Sequence, residues 1–184
     1  MYCIVLHCIF RFHTGDLGRM SHDGWLKVTG RLKEQYKLEN GKYVCPTPIE
    51  EAIGMSRFVM QNVVCGANRP HNVVLLVPDL VALRTELQID ESTSDEELVS
   101  DIRVKELIDR EISINCSKIK KFEIPKEWAF VAPFTAANNM LTPKMSIRRH
   151  MVMKEYEDII ARMFGDDPTI AASSDGSQGE KNAA

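Results

Sequence analysis

Residues 30–44 read Gly30-Arg-Leu-Lys-Glu-Gln-Tyr-Lys-Leu-Glu-Asn-Gly-Lys-Tyr-Val44. The Asn40-Gly41 pair is a strong hairpin signal, because a tight turn needs positive φ and Asn and Gly adopt it at little steric cost. It joins Gln35-Tyr-Lys-Leu38 to Lys42-Tyr-Val-Cys45. Upstream, Asp23-Gly24 marks a turn, and Trp25-Leu-Lys-Val-Thr29 reads as a strand. Downstream, Thr47 is expected to cap a helix, with Pro48 at its first position and Glu50-Glu51 in its first turn. That helix is expected to reach about residue 56. Residues 58–66 and 72–77 are β-branched and apolar around the turn Asn68-Arg69-Pro70-His71, which predicts a second, more deeply buried hairpin. Residues 80–87 read as a helix. Ser94 with Glu97 three residues on has the pattern of a capping box. Leu98, Ile102, Leu107, Ile108, Ile112, Ile114 and Ile119 predict one or two amphipathic helices up to residue 121. Residues 128–132 form a strand, and Ile147, Met151, Met153, Tyr156, Ile159, Ile160 and Met163 fall mostly at helical spacing. The fold class is therefore α+β (mixed α/β), a small β-sheet and hairpins packed with helices.

Composition narrows the function classes. The chain has 184 residues, enough for one domain or one domain with an appendage. Its 44% hydrophobic and 27% charged content is that of a soluble globular protein. With 10 Gly and 8 Pro, collagen-like and wholly disordered readings are excluded. A net charge of -3 argues against a nucleic-acid binder. Lys118, Lys120, Lys121 and Lys126 read as a solvated face. No apolar run reaches the ~18 residues of a transmembrane segment. The apolar opening of the chain has neither a basic leader nor a small-residue cleavage site, so it does not read as a signal peptide. Cys3, Cys8, Cys45, Cys65 and Cys116 are scattered, odd in number and without metal-binding spacing, which predicts reduced thiols and no metal site. Residues 165–184 are rich in Gly, Ser, Asp and Ala, and disorder is expected there.

Four motifs occur in order: Phe12-His-Thr-Gly-Asp-Leu-Gly18, Asp23-Gly-Trp-Leu-Lys27, the 30–44 stretch, and Pro48-Ile-Glu50. Further on comes Leu141-Thr-Pro-Lys-Met-Ser-Ile-Arg-Arg149, followed by a helical pattern containing Tyr156. The series resembles the adenylate-forming (AMP-forming) acyl-CoA synthetases, most closely the long-chain fatty acid–CoA ligases, over about residues 11–164. The resemblance implies residues 11–32 as the end of a large N-terminal adenylation domain and 33–164 as the mobile C-terminal domain. Residues 1–10 match nothing in the family, and the chain reads as the tail of a longer protein. The implied reaction activates a fatty acid with ATP to an acyl-adenylate, then transfers the acyl group to CoA. The implied cofactors are ATP, CoA and Mg2+, with the metal ligand in the N-terminal adenylation domain. That domain would also hold the acyl pocket and the phosphate-binding loop, so the chain is expected to be inactive without it. The implied location is cytoplasmic or peripheral to an intracellular membrane, not secreted.

The resemblance assigns roles residue by residue. Thr14 and Asp16 fall where the family binds the nucleotide. A carboxylate on a Gly turn can accept from both ribose hydroxyls. Arg31, with its planar fork of donors, also falls on the nucleotide. Lys33 lies at the interdomain hinge, where a backbone change swings the C-terminal domain between adenylation and thioester formation. Lys37 matches a Lys that faces the active site in the thioester-forming orientation. Gly41 matches the glycine beside the CoA channel. The family's catalytic Lys, which neutralises charge during adenylation, stands three residues after the Pro of Leu-Thr-Pro. Here that position is Ser146. Lys144 is the candidate substitute, since in an extended segment positions 144 and 146 share a face. Two other readings stand beside this one. One is a ligase of the same superfamily acting on another carboxylic acid. The other is a non-catalytic module that binds CoA or a ligase, which Ser146 favours and Asp16, Arg31 and Lys37 disfavour.

Overall fold

A computed structural model describes residues 2–7 and 11–166, with side chains from His13 onward. The tail expected to be disordered lies, from residue 167, outside the described residues. The chain opens with three strands, β1 (Tyr2–His7), β2 (Arg11–Met20) and β3 (Leu26–Arg31), paired antiparallel in that order. Gly24, at φ +83, makes the turn between β2 and β3, and Trp25 O accepts from Ser21 N at 2.8 Å to close it. A single 3-10 turn, Leu32–Glu34, leads to β4 (Tyr36–Lys37), which pairs with β5 (Tyr43–Val44). The intervening turn has Gly41 at φ +83, the left-handed region that the Asn-Gly signal requires.

The helix after this hairpin, α1 (Pro46–Ile53), begins one residue before Thr47. Thr47 is therefore not its cap. Pro46 takes the first helical position, where its missing N–H leaves no bond unmade, and Cys45 precedes it with no side-chain cap bond. The Thr47 hydroxyl donates instead to Glu34 Oε2 at 3.3 Å. The helix also ends at Ile53, short of residue 56.

The second hairpin is β6 (Val59–Cys65) against β7 (Val73–Pro78). After α2 (Leu80–Leu87), α3 (Asp95–Ser100) and α4 (Ile102–Asn115), the chain returns as β8 (Glu127–Phe130), parallel to β7 on its far side. Ser94 and Glu97 form the full capping box at the start of α3. The sheet order β6-β7-β8 leaves β7 in the centre. Alternate residues of β6 and β7 feed two cores. Val64, Val74 and Leu76 pack with Ile49, Ile53, Leu107 and Ile108 from α1 and α4. Val63, Cys65, Val73, Leu75 and Val77 pack on the other face with Phe134, Leu141 and Val152. Burial on both faces explains why these strands are apolar at nearly every position rather than every second one. The apolar stripe over 146–164 is split between α5 (Arg149–Glu155) and α6 (Glu157–Met163), broken at Tyr156. Among the described residues no helix is long and apolar enough to cross a membrane.

Candidate functional site

Strand register brings the first two candidate residues together. Asp16 on β2 stands directly opposite Arg31 on β3, just before a register irregularity at Leu17/Gly18. The Arg31 guanidinium lies 2.6 Å from Asp16 Oδ1, and the Asp16 backbone N–H donates to the Thr14 hydroxyl at 3.2 Å. Thr14, Asp16 and Arg31 thus form one cluster at the end of the antiparallel sheet. Arg31 is largely exposed and Asp16 is partly covered. A vicinal diol could donate to the carboxylate while accepting from the guanidinium, so the pair suits a ribose. Next to it, Gly30 has φ +152, and a Cβ there would run into Cys45 Sγ. The thiol donates to Thr29 O at 3.4 Å, so β3 packs closely on the start of α1.

Lys33 sits exposed in the 3-10 turn between the two sheets. Lys37 is exposed on β4, and its Cε lies 3.6 Å from where a Cβ on Gly41 would stand. These two residues are neighbours across the hairpin. The loop that carries Lys144 and Ser146 is not extended, which corrects the shared-face expectation. Leu141 bridges Ile147, Thr142 N–H donates to Ser146 O at 2.8 Å, and Met145 N–H donates to Thr142 O at 2.8 Å. Ser146 N–H donates to the Thr142 hydroxyl at 3.1 Å, and Met145 takes φ +61. Lys144, Met145 and Ser146 form the exposed tip of a tight turn. Among the described residues no hydrogen bond or ion pair joins that tip to Asp16 or Arg31.

One constellation joins the last residues of two motifs, Pro48-Ile-Glu50 and Leu141–Arg149, to neither of which the resemblance assigns a role. Glu50 on α1 and Arg149 at the start of α5 form a two-pronged ion pair, with Nη1 to Oε1 at 2.7 Å and Nη2 bonded to Oε2. Both side chains are mostly covered, at 16% and 23% exposure. Glu50 Oε1 also accepts from Val64 N–H at 2.8 Å, and Arg149 Nε lies 3.9 Å from Glu34 Oε2. Burial works against the Arg149 charge, yet the Glu50 hydrogen bonds and the Glu50 and Glu34 charges together raise its pKa above the ordinary value. Arg149 and Glu34 border a cavity of about 560 Å³ lined also by Lys33, Tyr36, Cys65, Ile147, Arg148 and Met153. Burial pushes the Cys65 thiol up to about 12, with Arg149 pulling it down and Glu50 adding to the rise. Among the described residues no group of three or more His, Cys, Asp or Glu could hold a metal ion.

Comparison with known proteins identifies the family of the chain. The family described as "AMP-binding enzyme C-terminal domain" matches residues 33–167. Fatty acyl-CoA synthetase B of Dictyostelium discoideum is 31% identical over 164 residues, covering 83% of this chain and 24% of that protein. Long-chain-fatty-acid–CoA ligase 5 of Mus musculus is 33% identical over 157 residues, covering 83% and 23%. The chloroplastic long-chain-fatty-acid–[acyl-carrier-protein] ligase AEE15 of Arabidopsis thaliana is 34% identical over 164 residues, covering 83% and 21%. The chain thus spans less than a quarter of the length of these relatives. In fold it is similar to the adenylation domain of a carboxylate reductase from Mycobacterium chelonae, with a TM-score of 0.68 at 23% identity, covering 85% of this chain and 23% of that one. The corresponding domain from Segniliparus rugosus gives 0.66 at 20% identity, covering 84% and 23%. With the family matched over most of its length, the chain belongs to the AMP-binding enzyme C-terminal domain family, in the branch of the AMP-forming acyl-CoA synthetases.

Proposed function

We propose that this chain is the C-terminal module of a long-chain fatty acid–CoA ligase. The observation that carries the reading is the match of 83% of the chain to enzymes named for long-chain fatty acid substrates. In the proposed reaction a fatty carboxylate attacks the α-phosphate of ATP and pyrophosphate leaves. The CoA thiol then attacks the acyl-adenylate carbonyl and AMP leaves. Mg2+ would neutralise the phosphates from ligands in the adenylation domain, which also supplies the acyl pocket. Residues 11–32 would complete that domain, and 33–164 would form the body that turns about Lys33.

Within this scheme Thr14, Asp16 and Arg31 hold the ribose. Ser146 stands at the position of the adenylating Lys and Lys144 substitutes for it, Lys37 faces the active site in the thioester-forming orientation, and Gly41 borders the path of the CoA arm. The Asp16–Arg31 pairing supports the nucleotide role, because a strand register that aligns a carboxylate with a guanidinium makes a donor and acceptor set for a diol. Fatty-acid-dependent exchange of pyrophosphate into ATP by the complete enzyme tests it. Asp16→Ala should lower the exchange by about 10- to 100-fold, the range for losing charge-assisted hydrogen bonds. Exchange at the unmodified rate would remove Asp16 from the nucleotide site.

A further inference from the structure

The tip residues 143–146 are exposed, and the hydrogen bonds of their turn are made with Thr142. Those bonds define the shape of the turn but not its placement on the body. Placement must come from its two feet, which Arg148 N–H ties to each other by donating to Met140 O at 2.8 Å and from which Ile147 packs on the core. One foot is Leu141, buried in the core beside Phe134. The other is Arg149, three residues past Ser146, whose guanidinium is gripped on two prongs by Glu50. Glu50 is fixed in turn by the Val64 N–H of β6, a strand that feeds both cores. Glu34, held by the Thr47 hydroxyl, approaches the remaining edge of the guanidinium from the hinge turn.

A covered ion pair adds little net stability over an apolar pair of the same volume. What a planar two-pronged guanidinium–carboxylate contact adds is orientation. We propose that Arg149 is the positioning residue of the 141–147 loop: Glu50 anchors it to the sheet, Glu34 aligns it with the hinge turn, and the exposed face with Lys144 and Ser146 is thereby held at a set place. The mechanical part of this inference stands on the geometry alone. Its consequence for catalysis rests on the function proposed above.

The mechanical part is tested by amide hydrogen exchange on the 184-residue chain. Glu50→Gln combined with Arg149→Met removes both charges. The new amide side chain keeps a carbonyl oxygen that can accept from Val64 N–H, so the fold is retained. Exchange at Arg148, whose N–H ties the second foot to Met140 O, should accelerate about tenfold or more, while the turn's own amides and those of β6 and β7 stay protected. Glu34→Gln, at a more exposed site, should give a smaller acceleration confined to the same amide. Uniform acceleration throughout the sheet, or none at Arg148, overturns the proposal. The catalytic part is tested in the complete enzyme with the same variants. Adenylation kcat should fall about 10- to 100-fold, as expected for a misplaced catalytic group. KM for ATP and fatty acid, and thioester formation from preformed acyl-adenylate, should be nearly unchanged. Equal losses in both half-reactions would reduce Arg149 to a general structural role. If the unmodified complete enzyme forms no acyl-adenylate, the proposed function falls while the exchange result still decides the placement of the loop.

Discussion

Lys144 and Ser146 share the tip of one tight turn, and the chemistry assigned to that tip needs a cation. Two substitutions separate the ways it could be supplied. If Lys144 provides the charge, Lys144→Ala should lower adenylation in the complete enzyme by about 100-fold or more, the size of a lost electrostatic contact to the developing charge. If the step is instead weakened by Ser146, then Ser146→Lys should raise the rate and Lys144→Ala should leave it unchanged. We expect the first pattern, measured as fatty-acid-dependent pyrophosphate exchange. Cys65 offers a test independent of activity. Burial, against the pull of the Arg149 charge and with a smaller push from Glu50, raises its thiol to about 12. An unfolded Cys ionises near ~8.5, so above that pH the unfolded chain gives up a proton that the folded chain keeps. The contribution is whole below pH ~8.5 and is lost at ~1.4 kcal/mol per pH unit as the pH rises toward the folded value. Melting temperature should therefore fall through the alkaline range, and Cys65→Ala should flatten the fall. An unchanged slope would contradict the assignment. Asp16 and Arg31 are legible in the sequence because each lies in a recognisable motif. Glu50 and Arg149 also end motifs, but their pairing is not legible, since the partners are 99 residues apart and only the packing of the chain brings them together. Thr47 reads as a cap from its neighbours alone, yet its hydroxyl has a competing acceptor, Glu34, that local pattern does not reveal.

Elements are easier to read than their joins. Both hairpins, α2 and the capping box of α3 stand where turn residues and apolar periodicity put them, because each is stabilised by neighbours close in sequence. The 142–146 turn is not readable in the same way. Pro143 marks a turn there, but the left-handed residue is Met145 rather than Gly or Asn, so the backbone path after Pro143 carries no signal and the Thr142 hydroxyl and backbone impose it. The joins depend on single buried polar groups. Asn72, fully buried at the start of β7, accepts from the Tyr36 hydroxyl at 2.7 Å and donates to Glu123 O at 2.7 Å. It thereby staples the β4–β5 hairpin and the segment before β8 to the central sheet. Asn72→Ala leaves a covered hydroxyl and a carbonyl without these partners, and should destabilise the fold by about 1–3 kcal/mol in urea unfolding. A change within about 0.5 kcal/mol, the usual range for a neutral surface substitution, would show that the staple is dispensable.

At the scale of the whole molecule, the two three-stranded sheets on either side of the Leu32–Glu34 turn and the β4–β5 hairpin differ in character. Beyond it, the central sheet is covered on both faces. Before it, the β2–β3 hairpin exposes Met20, Trp25, Leu26 and Val28. A row of apolar side chains on a paired sheet is unusual for a free surface and fits one built to be covered. In the proposed function that cover is the adenylation domain. The decisive measurement is acyl-CoA formation from a long-chain fatty acid, ATP and CoA, made on the purified 184-residue chain with and without the family's adenylation domain. A C-terminal module should give no product by itself and turnover when the two parts are combined. Turnover by the chain by itself, or none from the combination, would contradict that assignment.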